Sequence, residues 1–281
     1  MLTTYSSLAS TPRGRLPRPG TIIACSCTSP LDVLYLAAIF DPIFIQRQPG
    51  SRRVQPVTLE AALAGCFDIK LPLSFTTPQP PTELARLVKQ NANRVIVVFP
   101  ESTNSNGRGI LKLSPSLLSA SPNTRIFPIS LRYTPAEIVT PIPGWWEAIH
   151  FIWRLNSRPT HCIRVRIGAP LTIAAPPAAI ASPDTTPRAS SKPNAGRRGS
   201  AGKTNGFETN FFDTLNSSPA GRLSESSDDS EADGVDEKEK QVLDAVADAL
   251  ARLGRVKRVG LGVEEKHRFV EAWWKGRRAR G

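Results

Sequence analysis

A chain of 281 residues with 36 Lys and Arg against 24 Asp and Glu carries a formal net charge of +12. Its 40% hydrophobic content suffices for a core, and four cysteines without a secretory-signal pattern exclude a disulfide-stapled secreted scaffold. No apolar run reaches the ~18 residues of a membrane span, and neither Cys25-x-Cys27 nor His150, His161 and His267 has metal-site spacing.

Residues 1–20 are basic, proline-rich and without apolar period, the pattern of a flexible arm. Residues 21–25 form a short apolar run that predicts a buried strand. Ser29-Pro30-Leu31-Asp32 then offers a capping residue, a proline at the first helical position and a carboxylate three residues after the cap, so a helix runs to about Phe40. Residues 42–46 predict another strand, and 57–65 and 81–90 predict helices. Arg94-Val-Ile-Val-Val-Phe99 is apolar on both faces and β-branched, as in the centre of a sheet covered on both sides. Residues 125–133 and 161–167 predict further strands, the latter alternating apolar and basic side chains, and 145–153 predict an amphipathic helix. Strands interleaved with helices over 21–175 define a single α/β domain with a central mixed or mostly parallel sheet flanked by helices. Residues 176–235 hold too few apolar groups to offset the entropy of ordering and predict a disordered insertion. Residues 236–281 predict a C-terminal helix, with Val242, Leu243, Val246, Leu250 and Leu253 on one face and a stop at Gly254. A basic tail containing Trp273 and Trp274 follows, and both are expected to pack on the domain.

Two stretches carry candidate chemistry. In Phe99-Pro-Glu-Ser-Thr-Asn-Ser-Asn-Gly-Arg-Gly109 a buried strand ends at a carboxylate, and hydroxyls, amides and glycines follow at once. Ligands of open α/β sheets sit at such carboxyl ends, and Gly107 and Gly109 would allow close backbone approach to one. The plain alternative is a polar strand-to-helix loop. Cys25-Ser-Cys-Thr-Ser-Pro-Leu-Asp32 occupies the same kind of position. There Asp32 is either a site carboxylate or only the far half of a capping box, and Cys27 is either a small buried hydrophobe or a thiol activated by a helix start.

Taken together, Thr28-Ser-Pro-Leu-Asp32, Phe99-Pro-Glu-Ser-Thr103 followed by Asn106-Gly107 and Ile110-Leu-Lys112, and Ile126-Phe-Pro-Ile129 resemble the motifs of the glycerolipid acyltransferases, over about 21–171. The resemblance is nearest to the fungal lysophosphatidic acid:oleoyl-CoA acyltransferase branch, with Trp145-Trp146 and Leu253-Gly-Arg-Val-Lys-Arg-Val259 adding to it. It implies transfer of an acyl chain from acyl-CoA, a co-substrate, to a lysophospholipid, with no bound cofactor and no metal. In the family a His-x4-Asp motif deprotonates the acceptor hydroxyl. Asp32 matches its Asp, whereas Cys27 stands where the His belongs and Ser26 where an Asn usually precedes it. The acceptor-binding motif Phe-Pro-Glu-Gly-Thr-Arg is matched at Phe99, Pro100, Glu101 and Thr103, with Ser102 in place of Gly and Asn104 in place of Arg. Pro128 matches the proline of a further motif. The implied catalytic positions are thus Cys27 and Asp32, and the implied acceptor-binding positions are Glu101, Ser102, Thr103, Asn104, Arg108 and Pro128.

The departures have physical consequences. An imidazole accepts and returns a proton near neutrality, and a thiol does neither well; losing general-base assistance costs typically ~10²–10⁴-fold in rate. Arg108, Lys112 or Arg47 would have to replace the guanidinium missing at Asn104. Such an enzyme works at a membrane surface, and Trp145, Trp146, Ile149, Ile152 and Trp153 on one helical face suit the headgroup boundary, as do Trp273 and Trp274 beside Lys275 and Arg277. A core helix explains 145–153 equally well. The resemblance implies the cytosolic face of the endoplasmic reticulum or a lipid droplet. The alternative is a catalytically silent relative that binds membrane or lipid. Nucleic-acid binding is disfavoured, because the basic residues are scattered and no nucleic-acid motif is present.

Overall fold

The computed structural model describes residues 15–47, 51–68, 80–174 and 237–279. They belong to one compact unit that joins Met1–Ala178 to Val235–Gly281. The expected insertion at 176–235 and most of the basic arm lie outside the described residues.

The four strands richest in β-branched and aromatic residues pair side by side in parallel. β1 (Ile22–Cys25) lies between β4 (Ile96–Val98) and β6 (Ile126–Thr134), and β2 (Ile43–Arg47) extends the sheet beyond β4. Antiparallel strands close both edges, β3 (Val54–Val57) on β2 and β7 (Cys162–Ile167) on β6, giving the order β3-β2-β4-β1-β6-β7. The sheet is therefore mixed with a parallel centre. Strand β3 is hidden in the sequence by Pro56, which an edge strand tolerates because only one side of it must donate to a ladder. The helix expected at 57–65 starts after it, as α2 (Leu59–Gly65) behind the Thr58 cap.

Side chains of a strand alternate between faces, and each face of this sheet has its own core. Ile23, Cys25, Val97 and Ile129 pack with Val33 and Leu36 of α1 (Pro30–Phe40) and with Cys66 beyond α2. Ile22, Ala24, Ile96 and Ile126 face α3 (Leu84–Gln90), a 3₁₀ turn over Pro115–Ser119 and α5 (Glu237–Gly254). Helix α5 comes from far along the chain, yet Val246 and Leu250 are as buried as the strands they cover. Its last carbonyls are taken up by basic strand residues: Arg166 Nη1 donates to Leu253 O at 2.7 Å, and Arg132 donates to Gly254 O. Guanidinium groups at a helix C-terminus satisfy orphan acceptors and oppose the helix dipole. That accounts for the arginine at 166 in the apolar–basic alternation of β7.

After α5 the chain adds β8 (Lys257–Arg258), parallel to β5 (Gly109–Ile110), and then α6 (Val263–Arg278). Helix α6 was invisible to the hydrophobic pattern because none of its residues is fully buried and charged side chains interrupt its apolar positions. It is set locally, by Glu265 reaching back 2.6 Å to the Gly262 N–H and by Lys275, Arg277 and Arg278 in its last turn. Helix α4 (Trp145–Asn156) buries only Phe151, while Trp145, Trp146, Ile149, Ile152 and Trp153 are exposed, Trp153 by 75%. This overturns the core-helix alternative for 145–153. Among the described residues no helix is long and apolar enough to cross a membrane.

Because α5 completes one core face, Leu250→Ala is expected to cost about 2–5 kcal/mol, read as a lower urea midpoint in a single transition shared by the sheet.

Candidate active site

Strands β1 and β4 are adjacent and parallel, with Ala24 opposite Val98, so the segments that leave their carboxyl ends start side by side. The two expected stretches, 26–32 and 99–109, therefore meet at one end of the sheet. Backbone bonds join them: Ser105 N donates to Cys27 O at 2.9 Å.

Asp32 is fully buried in the first turn of α1. Its Oδ2 accepts from Thr28 N at 2.7 Å, Thr28 Oγ1 at 3.0 Å and Ser29 N at 2.9 Å, and its Oδ1 accepts from the Tyr133 hydroxyl on β6. Burial pushes its pKa up to about 6, and these hydrogen bonds keep it from going higher. Both capping-box bonds are present, and Tyr133 and Thr28 are added to them. No histidine is among its partners.

Cys27 is buried with its Sγ 3.7 Å from Cys66 Sγ. The hydrogen bond with Cys66, then burial, push the thiol pKa well above its ordinary value, so at neutral pH it carries its proton. The activated-thiol alternative for Cys27 has no support in these surroundings. Asn104 joins the same cluster, since its side-chain amide donates to Cys66 O.

Glu101 is 1% exposed, and its Oε2 accepts from Leu111 N at 3.3 Å while Oε1 has no hydrogen-bond partner. Burial raises its pKa to about 7; interaction with Ser26 and the Leu111 N–H draws it back, and the charge of Asp32 pushes it up again. Ser102 follows in the left-handed region at φ 54°, where a side chain is strained and glycine is not. A glycine, the residue that the resemblance puts here, would adopt this angle without strain. Thr103 is half-buried beside it.

The remaining expected positions lie apart. Arg108 is exposed, and Pro128 is buried within β6 opposite Ala24, its carbonyl accepting from Gly168 N at 2.8 Å. Of the basic residues considered as replacements at Asn104, Lys112 is exposed, and Arg47 ends β2 at the same end of the sheet as the site with a buried, unpartnered Nε. The two glycines serve the protein's own packing. A Cβ on Gly109 would stand 3.1 Å from Val259, and one on Gly107, at φ +68°, 3.3 Å from Thr28. Cys27, Asp32 and Glu101 are all buried, none more than 5% exposed. A cavity of about 60 Å³ lies beside them, bounded by Ser26, Thr28, Ser105, Gly107 and Tyr133, with room for about two waters. Among the described residues no cluster of His, Cys, Asp or Glu could hold a metal ion.

Sequence reasoning missed Tyr133, which lies just beyond the Ile126–Ile129 motif on the same strand, and Cys66 and Lys266, which lie far from the motifs along the chain. Lys266 of α6 donates to Asn104 O at 3.1 Å and to Pro141 O, and burial lowers its pKa. Only the alternating apolar pattern that buries Tyr133 could have flagged one of them.

An α/β sheet with paired buried carboxyls where two parallel strands end is the setting in which the motif resemblance acquires a geometry. In sequence the chain is similar to a Schizosaccharomyces pombe protein named "Putative lysophosphatidic acid:oleoyl-CoA acyltransferase", 30% identical over 139 residues, 50% of this chain and 46% of that one. The matched stretch thus spans just under half of the relative. This similarity bears out the resemblance to acyltransferases. No family model matches the chain, and no solved structure matches it.

The raised pKa of Glu101 makes a sign-definite prediction. The folded state holds its proton up to about pH 7 while the unfolded chain releases it near 4.5, so stability falls as pH rises between these values and is level above them. Asp32 adds to the fall between 3.8 and about 6. Urea unfolding should lose about 3 kcal/mol to Glu101 between pH 4.5 and 8, and Glu101→Gln should flatten the part above about pH 6.

Proposed function

We propose that the chain is an acyl-CoA-dependent acyltransferase acting on a lysophospholipid of the lysophosphatidic acid type in glycerolipid synthesis. The observation that carries this reading is Glu101, a buried carboxyl with one unpaired oxygen at the end of β4, beside the Asp32 loop. Cys27 occupies the position of the family's base and keeps its proton, so the proton-accepting role passes to Glu101. The acceptor hydroxyl attacks the thioester carbonyl, its proton goes to the Glu101 carboxylate, and the C–S bond breaks. The same proton then leaves with the CoA thiol. Asp32 acts through position, holding the 26–32 loop, and Thr103 and Asn104 shape the acceptor side.

A second reading is a silent relative that binds lipid without turnover. The engagement of Asp32 by Thr28, Ser29 and Tyr133 favours it, since its hydrogen bonds go to its own loop and to β6 and none goes to a histidine that it could orient as a base. In either case we place the chain on the cytosolic surface of the endoplasmic reticulum or a lipid droplet, attached through the exposed indoles of α4.

Purified protein given lysophosphatidic acid and oleoyl-CoA should form phosphatidic acid, with kcat/KM rising through about pH 7 as Glu101 ionises. Glu101→Gln should lower kcat ~10²–10⁴-fold. Lipid binding with no product in the wild type would instead establish the silent relative, and a gain of turnover in Cys27→His would show that the native site lacks a base. In flotation with vesicles of mixed neutral and anionic phospholipid, the Trp146→Ser, Trp153→Ser double variant should partition less by on the order of tenfold.

A further inference from the structure

A groove of about 620 Å³, far larger than the cavity beside Asp32, runs between α4, α6 and the segment 137–142. This lies within the ~300–1,000 Å³ range of small-molecule sites. Its walls are apolar where Val139, Ile142, Phe151 and Trp273 face it, and charged at Glu137, Glu147, His150, Arg154 and Arg277. The charges do not cancel locally. Glu137 is paired with Arg158 at 3.1 Å, and Glu147 lies 3.5 Å from Arg277 and 4.0 Å from His150. Arg154 has no acidic partner among the described residues, so the rim presents one uncompensated guanidinium.

A second, independent observation lies on the groove wall. Thr140 lines the groove, is 4% exposed, and its Oγ1 has no hydrogen-bond partner. Buried hydroxyls are nearly always partnered, so the unpaired Thr140 hydroxyl in the groove wall is a donor that a rotation of its side chain would offer to a group in the groove. The groove is also tied to the candidate site through the backbone. Thr140 N donates to Thr28 O at 3.0 Å, and Lys266 bridges Pro141 O on the groove wall to Asn104 O on the motif loop.

We propose that this groove binds a lysophospholipid. Its single acyl chain lies against Val139, Ile142, Phe151 and Trp273, its phosphate is at Arg154, and a head oxygen accepts from the Thr140 hydroxyl. The choice of lysophospholipid rests on the acyltransferase reading above. Among the described residues the groove offers one apolar channel and one free cation, matching one chain and one phosphate. An acyl-CoA would bring several phosphates and an adenosine ring.

Calorimetric titration of the full chain with monomeric lysophosphatidic acid, without acyl-CoA, tests the assignment independently of turnover. Saturable binding is expected, weakened at least tenfold by Val139→Trp, which fills the channel, and by Arg154→Glu, an exposed position where folding is not at stake. Lys89→Glu, the same charge change on α3, should leave it unaltered. Absence of binding, or binding that both groove variants leave intact, overturns the proposal. So does a result in which oleoyl-CoA alone is sensitive to the groove variants. Product formation that requires Glu101 but ignores the groove variants would retain the acyltransferase reading and remove this site. Groove-dependent binding without any product would do the reverse.

Discussion

A single buried carboxylate organises the candidate-site end of the sheet. Asp32 gathers the backbone and hydroxyl of Thr28, the backbone of Ser29 and the phenol of Tyr133. An ionised carboxylate in so dry a place is stabilised by the three donors on its Oδ2 and the phenol on its Oδ1. Those bonds fix where β1 turns into α1, and they attach that turn to β6. The turn in turn fixes Cys27, whose carbonyl holds the loop after β4 through Ser105. Removing this one group would leave the turn held by the β1–β6 ladder and by the backbone bonds from Ser105 and Thr140.

The second constraint is the return of the C-terminal chain. Helix α5 covers one face of the sheet, β8 pairs with β5 directly after the motif loop, and Lys266 of α6 reaches the carbonyl of Asn104. The loop that carries Glu101 is thus braced from below by β1 and from the side by residues more than a hundred positions later. The glycine at 109 suits that brace, since a Cβ there would crowd the Val259 side chain at 3.1 Å.

What could be read from the sequence follows the range of the forces involved. The parallel centre and the cap at Ser29 were legible because β-branched runs and the Ser-Pro-Leu-Asp spacing are local signals. Strand β3 was not, because Pro56 argues against a strand and only its place at the edge permits it. Helix α6 was not, because it is held by tips of side chains and buries no apolar stripe. At the site, the nearness of Asp32 and Glu101 followed from topology, as both stretches end neighbouring strands. The closure of the site by Tyr133 and Cys66 did not, since each arrives from another strand or helix and carries no motif. The glycines at 107 and 109 were legible as close approaches, but toward the chain itself.

The interrupted chain order of the core has a consequence for biosynthesis. The face formed by Ile22, Ile96 and Ile126 is finished only when Val246 and Leu250 arrive, after the whole stretch between Ile167 and Glu237 has been translated. At ~5–20 residues per second that is a wait of several seconds with an apolar sheet uncovered on the ribosome. A polypeptide ending within that stretch would lack the helix that covers this face and leave Ile22, Ile96 and Ile126 without their α5 partners.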